Sequence, residues 1–189
     1  YIVNVVIDED KKTVAAFAGD FEAAHRRGCD LLLGYCQVKP QPADIVITSN
    51  GGAPLDQNIY QCVKSMTAAE ASCREGGVII ICAECADGHG GEGFYNSLKN
   101  CGSAAELYAQ FMATPQEQTL PDQWESQILA RILMHHKVIF VSRPEMKTTI
   151  EGMKMTYAGS IGEAVAMAEG MGKHSITVIP NGISVIVRD

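Results

Sequence analysis

Asp44-Ile-Val-Ile-Thr-Ser-Asn-Gly-Gly-Ala-Pro-Leu-Asp-Gln-Asn-Ile-Tyr-Gln-Cys-Val-Lys64 decides the fold of this 189-residue chain. Ile45, Val46 and Ile47 form a β-branched run too short for a helix and bounded by polar residues, which predicts a buried strand. Asn50-Gly51-Gly52 suits a turn of positive φ, where a ligand can approach the backbone closely. Asp56 is placed to cap the next helix, with Leu55 and Tyr60 as its hydrophobic staple. Tyr60 and Lys64 are four apart and Gln61 and Lys64 three apart, so their polar heads share one helix face. Open α/β sheets bind ligands at the carboxyl ends of their strands, where such a helix begins. The same spacing also describes a solvated face, and spacing alone does not choose between the two.

Upstream, Ile2–Ile7 and Thr13–Ala18 read as a hairpin around the charged turn Glu9–Lys12. Asp20 caps a helix expected to run to about Leu33 and end at Gly34, although Gly28 weakens its middle. Lys39-Pro-Gln-Pro42 forbids helix and marks the entry to the compact body. Downstream, Thr67-Ala-Ala-Glu70 matches a capping box and predicts a new helix from Ala68 to Gly76-Gly77. Val78–Cys82 is fully apolar, as in a central parallel strand. Ala83–Gly93 is a glycine-rich loop, followed by helices over Phe94–Leu98, Ala104–Met112 and Pro121–Met134, the last with Pro121 at its first position. Val138–Val141 is a strand, Pro144–Gly152 a short helix, and Ser160–Met171 a helix capped through Glu163. Ile176–Ile179, Asn181-Gly182 and Ile183–Val187 read as a closing hairpin, with Pro180 pointing to an edge. Alternating strands and helices predict an α/β fold: a mixed, mostly parallel sheet flanked by helices, with antiparallel hairpins at the chain ends. Residues 1–42 form a hairpin and helix at a domain junction, and 43–189 the α/β domain.

A net charge of −7 and pI near 5.2 argue against nucleic acid as a partner. No apolar run approaches the ~20 residues of a membrane span, and no signal peptide opens the sequence, so a cytoplasmic protein without a membrane partner is expected. Seven scattered cysteines suit reduced, buried thiols rather than a disulfide framework. The sequence opens at Tyr1 directly in a strand pattern and is read as a piece of a longer chain.

Candidate chemistry is sparse. Cys82-Ala-Glu-Cys85 with His89 invites a metal or redox reading, but no second ligand pair follows at zinc spacing, and a glycine loop stands where a redox helix would start. Asp87-Gly-His-Gly-Gly-Glu-Gly93 lacks both the lysine ending of a phosphate loop and the dinucleotide-binding frame, so it reads as a cover or a plain surface loop. His135 and His136 complement a helix end. His25 and His174 have no evident partner, and Trp124 reads by default as packing. Taken alone, the residues supply binding groups without a complete catalytic machine.

The opening stretch resembles the C-terminal domain of nickel-dependent lactate racemase. So do Glu75-Gly-Gly-Val-Ile-Ile80, Asp87-Gly-His-Gly-Gly-Glu-Gly-Phe-Tyr95 and Pro121-Asp-Gln-Trp-Glu-Ser-Gln-Ile-Leu-Ala-Arg131. The resemblance implies two α/β domains with the active site between them. An N-terminal domain, not found in this sequence, would hold a nickel-pincer nucleotide through a lysine and a histidine, with two further histidines as acid and base. It implies that a small 2-hydroxy acid is racemised by reversible hydride transfer. Lys64, Gln61 and Tyr60 match substrate-facing positions, and Trp124 matches a tryptophan lining the cleft. No catalytic residue, metal ligand or bound cofactor is therefore expected in this chain, whose partners would be the substrate and the N-terminal domain. Other 2-hydroxy acids, or a non-catalytic module binding a small anion or a nucleotide, are the alternatives.

Overall fold

The structure is a computed structural model that describes residues 1–8 and 10–189. β1 (Ile2–Ile7) and β2 (Thr13–Gly19) pair antiparallel, as expected of the opening hairpin. Glu9, at the head of its charged turn, lies outside the described residues. Helix α1 (Phe21–Cys36) begins at Asp20, whose carboxylate accepts the amide N–H groups of Glu22 and Ala23. It runs past Gly34, the expected stop. Gly28 is buried against the hairpin, where a Cβ would meet the Phe17 ring at 3.5 Å, an ordinary contact distance.

β3 (Gln37–Val38) leads through the proline segment to β4 (Ala43–Ser49), α2 (Ile59–Glu70) and β5 (Cys73–Cys82). Helices α3 (Glu92–Asn100), α4 (Ala104–Ala113) and α5 (Gln123–His135) follow, then β6 (Lys137–Val141), α6 (Lys147–Gly152) and β7 (Thr156–Ala158). α7 (Ile161–Gly170), β8 (Ile176–Ile179) and β9 (Ile186–Val187) complete the chain. Five strands form one parallel sheet in the order β7-β6-β5-β4-β8, with β5 at its centre. Successive residues of each strand face opposite layers. Val46, Ile79, Ile81, Val138 and Phe140 join the core under α2 to α6, whereas Ile45, Val78, Ile80 and Ile139 meet Ala164 and Ala168 of α7. The α/β class and the mostly parallel sheet are as the alternation predicts.

The closing hairpin is not formed. β8 lies parallel to β4 at the sheet edge, and β9 pairs parallel with β3 in a separate two-stranded sheet. Asn181-Gly182 is not a type I′ turn, because Asn181 has φ −136°. Gly182 serves a close approach: a Cβ there would stand 2.5 Å from Thr48 Oγ1 and 2.8 Å from Ser65 Cβ.

Three boundaries also move. No helix restarts at Ala68, because α2 is continuous to Glu70 and the Thr67 hydroxyl donates back to Lys64 O. Gly76 and Gly77 do not stop a helix; they lie in a bulge of β5, with Gly76 at φ +67° and Gly77 pressed against Asp44 O. Pro121 lies before α5 rather than in it, and Asp122, left-handed at φ 59°, is the N-cap.

Candidate functional site

The site begins at the amino end of α2. Asn58, in extended conformation, accepts the Gln61 N–H on its side-chain oxygen and caps the helix. The expected cap, Asp56, is buried two residues earlier and accepts the Glu84 N–H instead, so it ties the turn to the loop after β5. Leu55, expected as half of the staple, is exposed. The glycine loop closes over this end. Gly88 O and His89 O accept the amide N–H groups of Ile59 and Tyr60. A Cβ on Gly90 would fall 2.7 Å from Asn58 Oδ1 and 2.8 Å from Tyr60 Cβ. A helix start binds phosphate through free N–H groups, and here the loop's own carbonyls have taken them. The crevice where strand order turns, between β4 and β8, is also filled: Ser49 Oγ donates to Pro180 O, and the Asn181 side chain lies against Gly51. Neither place supports a nucleotide-binding module.

The four residues singled out in the sequence meet along α2 and the first turn of α5. The Tyr60 hydroxyl donates to Asp122 Oδ1 at 3.0 Å, and its ring stands edge-on to Phe94 and to Trp124, centroids 5.4 and 6.0 Å away. Burial, followed by the Asp122 carboxylate, pushes the Tyr60 hydroxyl up to about 12, so it stays protonated. Lys64 is exposed and donates to Gln61 Oε1 at 2.6 Å. Trp124 is 51% exposed and lines a shallow groove with Lys64, Val63, Thr67 and Ile128. The arrangement offers an ammonium and an amide beside a half-exposed indole: donors for a small carboxylate and an apolar wall beside it, with the Tyr60 phenol, its proton given to Asp122, bounding the cleft.

One residue of that groove was missed. Glu125 is 0% exposed, and neither of its carboxylate oxygens has a hydrogen-bond partner among the described residues. Burial raises its carboxyl to about 7; Lys64 pulls it back and Asp122 pushes it further up. A glutamate in the first turn of a helix ordinarily complements the dipole at the surface, so the sequence carries no signal that this one turns inward.

The remaining candidates do not converge. Cys82 ends β5, Cys85 is buried beside Cys62, and His89 stacks on Tyr95 with ring centroids 4.7 Å apart. The Cys85 contact, followed by burial, holds the Cys62 thiol protonated. No group of three or more His, Cys, Asp or Glu among the described residues is arranged to hold a metal ion. His135 sits in the last turn of α5 paired with Glu75 at 2.9 Å, and His136 is its C-cap residue, buried, which lowers its pKa. His25 contacts Cys29 Sγ at 3.5 Å, and the His174 amide donates to Asp44.

The family model of the lactate racemase C-terminal domain matches residues 38–187. The chain belongs to the lactate racemase C-terminal domain family. It is 54% identical over 191 residues to a lactate racemase of Thermoanaerobacterium thermosaccharolyticum and 51% identical over 191 residues to one of Lactiplantibacillus plantarum. Each alignment covers 100% of this chain and 45% of the relative, so the chain spans under half the length of these lactate racemases. The lactate racemase apoprotein of the Thermoanaerobacterium species superposes with a TM-score of 0.93 over 99% of this chain and 45% of that one. A Thermotoga maritima protein, 14% identical with a TM-score of 0.59 over 98% of this chain and 48% of that one, shares the fold alone. No helix among the described residues is long and apolar enough to cross a membrane.

Proposed function

We propose that this chain is the substrate-facing domain of a racemase that interconverts the enantiomers of lactate or a related 2-hydroxy acid. Lys64 and Gln61 would hold the substrate carboxylate, with Tyr60 and Trp124 bounding its cleft. The observation that carries this reading is the Lys64–Gln61 pair, exposed beside Trp124 on one face, in a chain 54% identical to a lactate racemase. An ammonium is a compact charge suited to a carboxylate, and each charge-assisted hydrogen bond contributes about 1.5–3 kcal/mol. Racemisation through a planar keto acid would require the carboxylate to stay fixed while the carbonyl end turns about the C1–C2 bond, so that each face in turn meets one hydride site. The glycine loop and the aromatic side chains would limit water around that centre.

In this reading a preceding domain holds a nickel-pincer nucleotide and the acid and base histidines. When bound, that group supplies the acceptor for the α-hydrogen as hydride. The described residues of this chain do not fit it: they form no metal-binding group, and the helix start at Ile59 has its amides occupied. Our reading therefore assigns this chain carboxylate binding and orientation alone. Val3, Val5 and Ile7, apolar and exposed along one face of β1, offer a surface for such a domain to pack against. All seven cysteines are free thiols, which suits a reducing compartment, and we place the protein in the cytoplasm.

Lys64→Ala in the full-length enzyme tests the assignment. Loss of the charged bonds should raise the lactate KM at least tenfold. Racemisation at near wild-type rate and KM would overturn it.

A further inference from the structure

Glu125 is the one buried carboxylate whose two oxygens are both without a partner among the described residues, and it lines the same groove as Lys64 and Trp124. Burying a carboxylate without hydrogen bonds is costly, and a position that keeps one invites a functional account. We propose that Glu125 is a positioning residue of the site, a buried carboxyl that takes up one proton when an anionic substrate seats on Lys64.

The argument is electrostatic and rests on the assignment of Lys64 as the carboxylate anchor. Lys64 acts on Glu125 from α2 and Asp122 acts from the start of its own helix, while the neutral Tyr60 hydroxyl on α2 itself feels the Glu125 charge. The buried residues of α3 and α4, which also pack on α5, are Phe94, Leu98, Leu107 and Phe111, all apolar. Lys64 is thus the cation that sustains the ionised form of Glu125, against the repulsion of Asp122. A substrate carboxylate on Lys64 screens that cation and adds a second negative charge beside Glu125. Both effects favour the neutral carboxyl, so the anion enters together with a proton from solvent. The groove keeps its charge, and the Lys64 ammonium meets the substrate carboxylate without a second ionised carboxylate in the groove wall. By reciprocity, anion binding weakens as the medium becomes more alkaline, by up to tenfold per pH unit above neutrality.

The test uses the full-length apoprotein, in which binding is not complicated by turnover. L-lactate binding is followed by calorimetry at pH 8 in phosphate and in Tris, whose different ionisation enthalpies report the protons exchanged. The wild-type protein should take up at least half a proton per lactate more than Glu125→Gln, whose amide cannot titrate. Glu125→Gln should also bind with an affinity that stays flat between pH 6 and 9. Equal proton uptake by the two proteins overturns the proposal. Lys64→Ala separates the two levels. If it leaves lactate affinity unchanged, the anchor assignment falls and the proposal with it. If it weakens binding while the first two proteins still take up equal protons, only the role of Glu125 falls. Should Glu125→Gln not fold, the Glu125 carboxyl carbon resonance of the wild-type protein is titrated with and without saturating lactate. A midpoint that rises with lactate supports the proposal, and one that does not move overturns it.

Discussion

Glu125→Gln should remove one component of the chain's dependence of stability on pH, and the size of that component follows from burial. The folded carboxyl titrates near 7 where the free side chain titrates at 4.5. At low pH both folded and unfolded states hold the proton, and ionisation costs nothing. As pH rises between the two values the unfolded chain releases its proton while the folded one keeps it, so stability falls. Above the folded value both are ionised and the loss is complete, about 3 kcal/mol in full. By pH 5 roughly 0.8 kcal/mol has already gone, which leaves about 2.5 kcal/mol between pH 5 and pH 8. The groove opens to water beside Trp124, and screening there reduces the expected value to about 2 kcal/mol. The glutamine carries the same unpaired burial at every pH, so that contribution cancels in the difference. Urea unfolding of both proteins across pH 5 to 8 measures it: the advantage of the variant over wild type should grow by about 2 kcal/mol as pH rises. A difference constant within about 0.5 kcal/mol would mean that Glu125 titrates like a solvated carboxyl, and the burial argument would be wrong.

Gly182→Ala forces a Cβ to within 2.5 Å of Thr48 Oγ1 and 3.0 Å of the Ser65 backbone, and overpacking of this kind should cost about 1–3 kcal/mol by thermal unfolding. Unchanged stability would show that the segment is not held against α2. Gly90→Ala strains a backbone at φ +89° and pushes on Asn58, and a loss of about 2 kcal/mol is expected. Amide exchange at Ile59 and Tyr60 should accelerate in that variant, because the loop carbonyls that accept those protons are displaced. Glu70→Ala removes the two bonds from Arg131, at 2.6 and 3.1 Å, and should cost about 1 kcal/mol, the pair being partly exposed.

Much of the architecture is written in local patterns. The β-branched runs at Ile45–Ile47 and Val78–Cys82 are strands because they are too short and too apolar for anything else, and Ser160 with Glu163 caps α7 through the Glu163 N–H. Local pattern misleads where a residue serves a distant contact. Asn181-Gly182 has the composition of a turn, but the glycine is bare because Ser65 of α2, far away in sequence, presses against it. Asp56 and Asn58 are both good caps, and the choice fell to Asn58 because Glu84, beyond the next strand, claimed Asp56. β7, three residues at the sheet edge, is too short to show a period. At the site, the spacing of Tyr60, Gln61 and Lys64 put them on one face, but Trp124 and Glu125 join them only through the packing of α5 on α2. Trp124 was named through resemblance, and Glu125 had no signal at all, since burial of a charged side chain is a tertiary fact.

Trp124 is also the chain's single tryptophan, standing at 51% exposure with its ring edge on Tyr60. The indole emission of the whole chain therefore arises from one spot, in a half-wet setting within the groove. Its wavelength and its access to dissolved quenchers become a spectroscopic record of that groove alone, undiluted by light from elsewhere in the fold. Occupation of the groove, and docking of any neighbour across it, can be followed optically without attaching a label.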